Sequence, residues 1–331
     1  MSRERYSHLA PLPIEERVRL TTQALNFFSP LQNAEVCAIL NKQPKPNYVE
    51  PLTGYDFVKY LKKSGKFPDA ERHQQRIGEL LTQLANAHLL ENRGPGKSAI
   101  LGTYYLFMRE LTSMEKQNVL WLAPALGAEF ILYGFRHAIV HITGVNASGD
   151  VHAGTGLMID PFWVLTCAHV INEMTVDENQ DFSGQAITVK RSVTHPTIDV
   201  GLLEISPGFA SLHGMAFRNP RIAETIFILG FPRIPLSREP SLIMHRGEIT
   251  NTEITTFSER KLFLYSAIAR PGNSGGPVIS SSGNVVGLVT EELLGQGSAN
   301  DSFYAGVGGE EVARAISEID VPVRLPIEDY T

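Results

Sequence analysis

Three residues of this chain have the types, and the order, that nucleophilic acyl transfer through a serine requires. They are His169 in VLTCAHV, Asp199 in TIDVGLLEI and Ser274 in RPGNSGGPVIS. A serine hydroxyl is a poor nucleophile until an imidazole accepts its proton, and a carboxylate must hold that imidazole in the right tautomer. The transition state puts negative charge on the former carbonyl oxygen, so backbone N–H groups have to be aimed at it. Glycines let a turn close tightly enough to aim them, and the amides of Gly272 and Ser274 are the expected donors. Alone, a His after a strand or an Asp opening one is usually structural. The three in order, with a dense glycine turn around the serine, favour chemistry.

The elements that must position them read as short strands. From residue 135 onward, runs such as HAIVHITG, FWVLT, VGLLEI, IFILGF and NVVGLVT alternate with Gly, Pro, Asn, Asp and Ser. Many short strands with few helices between them imply an all-β barrel or sandwich, closed by an amphipathic helix over 308–319. The first hundred residues instead show helical periodicity over 14–28, 33–40 and 55–63, with a longer helix capped by Asp69 and running to about His88. Two β-prone runs then flank Gly94-Pro95-Gly96, a hairpin signal. Helices followed by a short hairpin is the order of a winged-helix domain. The chain is therefore expected to be multidomain α+β: a helical, winged-helix-like domain over 1–120, a linker over 121–134 and a β domain over 135–331.

On LTCAHV, IDVGLLEI, the ILGFP segment and SAIARPGNSGGPV, the region 135–331 resembles the chymotrypsin-fold, trypsin-like serine peptidases, nearest to the HtrA/DegP-like bacterial branch. The resemblance implies two six-stranded barrels with a cleft between them. It implies His169 as general base, Asp199 as its orienting acid, Ser274 as nucleophile and Gly272 as an oxyanion donor, with neither metal nor cofactor. It implies a specificity pocket with Ile268 at its floor and Thr290, Glu292 and Ser302 on its walls, suited to a small or medium apolar side chain. Val289 stands where glutamate-specific relatives have a histidine, which disfavours acidic specificity.

Two departures bear on control. Asn273 replaces the Asp with which secreted trypsins bind a freed N-terminus, so activation by cleavage is not expected. Only about a dozen residues follow the last helix, so no downstream PDZ domain is expected, and residues 1–120 become the candidate regulatory or targeting element. Fusions of this kind imply an intracellular effector in bacterial signalling or defence, acting on protein or peptide substrates.

Composition narrows the rest. Residues 1–120 carry 16 Lys and Arg against 12 Asp and Glu, a net of +4, and the remainder carries 13 against 23, a net of −10. The asymmetry supports two parts, but +4 is mild for nucleic-acid binding. That rival reading would use Lys62, Lys63, Arg72, Arg76, Arg93 and Lys97 against phosphates; a second rival is an inactive peptidase fold kept for interaction. Cys37 and Cys167 are the two cysteines, read as reduced thiols in a cytoplasmic protein. No secretory signal and no membrane span are expected, because the most apolar window, 119–135, is broken by Pro124, two glycines and Glu129.

Overall fold

A computed structural model describes residues 9–43, 47–98, 100–209, 211–294 and 302–328, without the side chains of residues 291, 292, 294 and 302. The chain divides into two compact units, 1–110 with 124–129 and 111–123 with 130–331.

The first unit runs α1 (Ile14–Phe27), α2 (Asn33–Leu40), β1 (Leu52–Thr53), α3 (Gly54–Lys63), α4 (Gln74–Asn86), β2 (Glu91–Pro95) and β3 (Thr103–Leu106). Its three strands order as β1-β3-β2. Thr53 starts α3 through a capping box, its hydroxyl accepting from the Asp56 amide while the Asp56 carboxylate accepts from the Thr53 amide at 3.0 Å. Asp69 does not cap a helix as expected. Its side chain makes no cap bond, a 3₁₀ turn at Ala70–His73 follows, and α4 begins only at Gln74. Phe27, Phe57, Leu61, Ile77, Leu81 and Leu84 fill the core, each contributing about 1.5–3 kcal/mol by leaving water.

The segment 121–134, expected as a linker, forms two short helices, α5 (Ala123–Leu126) and α6 (Ala128–Phe135). Its Ala, Leu, Phe and Ile residues are helix-compatible, and Leu126, Phe130 and Ile131 are buried.

The second unit contains two β assemblies. The first is a seven-stranded sheet in the order β7-β4-β5-β6-β10-β9-β8. Its strands are β4 (Ile139–Val145), β5 (Val151–Asp160), β6 (Trp163–Thr166), β7 (Thr175–Val176), β8 (Asn179–Phe182), β9 (Gln185–Thr194) and β10 (Gly201–Ser206), with α7 (Ala168–Asn172) after β6. The second is a closed barrel in the order β11-β12-β13-β16-β15-β14. It is built from β11 (Thr225–Gly230), β12 (Ile243–Thr255), β13 (Lys261–Tyr265), β14 (Pro277–Ser280), β15 (Val285–Leu294) and β16 (Ser302–Gly308), followed by α8 (Gly309–Glu318). Ile226, Ile228, Ile249, Phe263, Val278 and Val286 pack its interior.

The expected six-stranded closed barrel is met in the second assembly, whereas the first has seven strands and stays open. The ladder of the first sheet does not run fully round. Buried Gln180 on β8 bridges the gap to β4, accepting from the Thr143 amide at 3.1 Å and donating to the Thr143 carbonyl at 2.9 Å. A side-chain amide thus stands in for a strand's peptide group. Among the described residues no helix is long and apolar enough to cross a membrane.

Candidate active site

Strand register brings the three candidate residues together. β6 and β10 pair with Thr166 opposite Gly201. His169 lies three residues past the first of these and Asp199 two before the second, so the two meet at one end of the sheet. β6 is wholly buried and leads through extended Cys167 into α7, whose first turn carries His169. Asp199 lies on the bend between β9 and β10. On the barrel, β14 pairs with β15, and the Gly275 amide donates to Val289 O at 2.8 Å. That extension sets Ser274 beside Thr290, whose carbonyl accepts from the Ser274 hydroxyl at 3.1 Å.

Asp199 grips His169 twice. Its Oδ1 accepts from the His169 amide at 2.9 Å and its Oδ2 lies 2.8 Å from Nδ1. The Thr290 hydroxyl donates to the same Oδ2. Burial pushes the Asp199 carboxyl up, but the hydrogen bond and charge of His169, with the Thr290 hydroxyl and the His169 amide, outweigh it and hold the group down to about 2. An ionised carboxylate can only accept, so Nδ1 carries a proton, and in the neutral ring the lone pair is then on Nε2. This is the tautomer a proton acceptor needs.

His169, Asp199, Gly272, Ser274 and Thr290 all line one cleft with a volume of about 1410 Å³. The turn that presents Ser274 admits glycine alone at two positions. Gly272 has φ +100°, and a Cβ there would lie 2.5 Å from the Phe231 carbonyl oxygen. Gly275 has φ +83°, and its Cβ would meet Thr166 Oγ1 at 2.1 Å and the Thr155 carbonyl oxygen at 2.2 Å.

The peptide planes of this turn are each pinned through a carbonyl. Pro271 O accepts from the Arg233 amide at 3.3 Å and Asn273 O from the Gly276 amide at 2.9 Å. Gly272 O accepts from the Thr155 hydroxyl at 2.7 Å, and Ser274 O from the Thr155 amide at 2.9 Å. The N–H groups then alternate. Those of Asn273 and Gly275 donate to Arg270 O and Val289 O, whereas those of Gly272 and Ser274 have no partner among the described residues. Two unengaged amides beside a serine hydroxyl are what an oxyanion requires. The Asn273 side chain is fully buried, and neither of its amide atoms has a partner among the described residues.

The expected specificity pocket is altered in part. Thr290 is buried and lines the cleft with its hydroxyl engaged on Asp199. Ile268 is 48% exposed, and the cleft lining begins at Ala269 and Arg270 instead. On the backbone Glu292 pairs with Tyr304 and Ser302 with Leu294; the Glu292 and Ser302 side chains lie outside the described residues. Of the six basic residues considered against phosphates, Lys62, Arg76 and Arg93 are ion-paired with Glu71, Glu79 and Glu91. Lys63 is turned to the Ile39 carbonyl at 3.4 Å.

Cys167, His169 and Asp199 place potential metal-ligand atoms within 4.8 Å of one another. Burial, followed by the nearby Asp199 charge, holds the Cys167 thiol well above its ordinary range, and Sγ–H donates to Val289 O at 3.2 Å. Sequence reasoning missed three further residues: Thr155, Thr290 as the partner of Asp199, and His195. Buried His195 accepts at Nδ1 from the Ile198 amide at 2.9 Å and the Thr197 amide at 3.3 Å, and its Nε2 lies 2.8 Å from Glu318 on α8. The HPTID segment gave no sign of that clamp beyond its histidine.

Residues 153–288 match the model of the trypsin-like peptidase domain. Over these residues the chain is similar to that family. An uncharacterized protein of Sinorhizobium fredii, y4bJ, is 29% identical over 146 residues, 43% of this chain, and the chain spans only 22% of that relative's length. Among solved structures, the active form of the Rv3671c protease from M. tuberculosis is 19% identical, covering 60% of this chain and 86% of its own, with a TM-score of 0.48. An HtrA-type protease solved with a tripeptide is 16% identical, covering 59% and 64%, with a TM-score of 0.48.

Proposed function

We propose that the protein is a serine endopeptidase working through an acyl-serine intermediate. In this reading His169 takes the Ser274 proton, Asp199 holds the imidazole in register, and the Gly272 and Ser274 amides stabilise the oxyanion. The observation that carries it is the doubly held His169–Asp199 pair sharing a cleft with Ser274. Ser274→Ala and His169→Ala, each folded as judged by circular dichroism, should lose on the order of 10⁴-fold or more in turnover of a peptide substrate, because the three residues act as a unit. A pure Ser274→Ala protein retaining more than a few per cent of turnover overturns the assignment. Labelling of Ser274 by a fluorophosphonate separates this reading from an inactive fold kept for interaction.

Residues 1–120 are proposed to be a winged-helix-like adaptor that restrains or delivers the peptidase, in a cytoplasmic bacterial signalling or defence effector. The succession of helices, the late hairpin and the β1-β3-β2 order support that topology. The ion pairs at Lys62, Arg76 and Arg93 leave less free positive charge for nucleic acid, which disfavours that rival. Binding of duplex DNA by the full chain, with a steep loss on raising salt, would reverse that preference.

A further inference from the structure

We infer that Thr155 is a positioning residue for the oxyanion-binding turn, and this rests on the acyl-transfer reading of Ser274. Thr155 lies on β5, in the first sheet, and is completely buried. It makes four hydrogen bonds, three of them to the barrel side of the cleft. Its hydroxyl donates to Gly272 O at 2.7 Å and accepts from the Phe231 amide at 2.9 Å. Its own amide donates to Ser274 O at 2.9 Å. Its carbonyl accepts from the Thr166 hydroxyl at 2.8 Å, which ties it back to β6.

The consequence follows from the planarity of the peptide group, in which C=O and N–H point in opposite directions. Fixing Gly272 O turns the Asn273 N–H away, onto Arg270 O, and fixing Ser274 O turns the Gly275 N–H onto Val289 O. The two N–H groups left over, Gly272 and Ser274, are those that the chemistry needs. One residue of the sheet therefore sets two of the turn's four planes, those on either side of the Asn273–Ser274 peptide, while the donors' own planes are held at Pro271 O and Asn273 O. Because Gly272 is at φ +100°, its own backbone does little to hold the plane, and the Thr155 hydroxyl supplies the restraint. Replacing that hydroxyl by a methyl leaves the part-buried Gly272 O and Phe231 N–H without this partner, and both are then driven to seek another.

The test uses the full chain and a peptide boronate, which takes up the tetrahedral geometry of the transition state at Ser274, beside an uncleaved peptide of the same sequence on the Ser274→Ala background. Thr155→Val should lose ~10–100-fold in kcat and in boronate affinity, a fraction of what deleting an oxyanion donor costs. KM and uncleaved-peptide affinity should stay within about twofold, as expected when an interaction belongs to the transition state. Thr155→Ser keeps the hydroxyl and should recover most of the loss, and Thr155→Cys, a weak donor, should fall between. If the valine protein does not fold, the serine-over-cysteine order carries the same comparison. Equal boronate affinity across the folded variants overturns the role of Thr155, as does a loss in which uncleaved-peptide affinity falls in step. Wild-type boronate binding that persists undiminished in Ser274→Ala overturns the acyl-serine reading, and this inference with it.

Discussion

Asp199 accepts from an imidazole, a backbone amide and a threonine hydroxyl while its side chain is only 9% exposed. Its carboxyl is held at about 2, against an ordinary 3.8. A depressed acid favours the folded state wherever it is ionised, so its contribution is complete above about pH 4 and disappears as pH falls through 2. The shift corresponds to roughly 2 kcal/mol. Asn cannot titrate, so the stability gap between wild type and Asp199→Asn in urea unfolding should narrow by roughly that amount between pH 5 and pH 2. A gap that stays constant over this range would mean that Asp199 is not the buried ionised group described above. Asp199→Asn should also be severely impaired in turnover at neutral pH, because its NH₂ offers His169 a donor where an acceptor is needed.

At the scale of elements, the bend between β9 and β10 is held as much by His195 as by its strands. The ring accepts from the Thr197 and Ile198 amides and reaches the end of α8 through Glu318. A helix late in the chain thereby braces the loop that delivers Asp199. His195→Leu removes the acceptor for two amides and should cost about 1–3 kcal/mol in denaturant unfolding. His195→Asn, whose Oδ1 can replace Nδ1, should recover much of that stability. Turnover should follow the same order, with KM nearly unchanged. If His195→Leu matches wild type in both stability and turnover, the clamp does not position Asp199. The nucleophile turn is organised by the same logic, since its glycines permit the path while partners outside the turn choose the direction of each peptide.

Across the whole molecule, what could be read in advance depended on how local the determining physics is. The two β assemblies, α1–α3, α8 and the pairing of His169 with Asp199 were legible. Strand alternation, glycine turns and motif order are properties of short stretches. The capping of α4 was misread at Asp69 because a cap depends on a side-chain rotamer that spacing does not specify. The helices over 121–134 were hidden by proline and glycine signals that mark helix boundaries as readily as a tether. Thr155, Thr290 and His195 were not legible as site residues, because each acts on a group tens of residues or more away, or on the backbone of a bend. The two cysteines are free and buried, in different compact units.

The bridge at Gln180 has a consequence for how separate molecules meet. A strand with open N–H and C=O groups is a template for another chain, and proteins that leave one uncovered tend to aggregate through it. On β4 the Thr143 amide would be such a group, and the Gln180 side-chain oxygen occupies it, while the Thr143 carbonyl is shared between the Gln180 side chain and the Asp177 amide. Gln180→Leu keeps the apolar volume but leaves the Thr143 amide without that acceptor. Its first effect should therefore be colloidal: light scattering on mild heating should rise at a temperature several degrees below that of wild type, in a concentration-dependent way. Gln180→Glu offers an acceptor but no donor, and should rank between the two. Scattering onsets identical for all three proteins would mean that this edge is already closed to other chains by the strands alone.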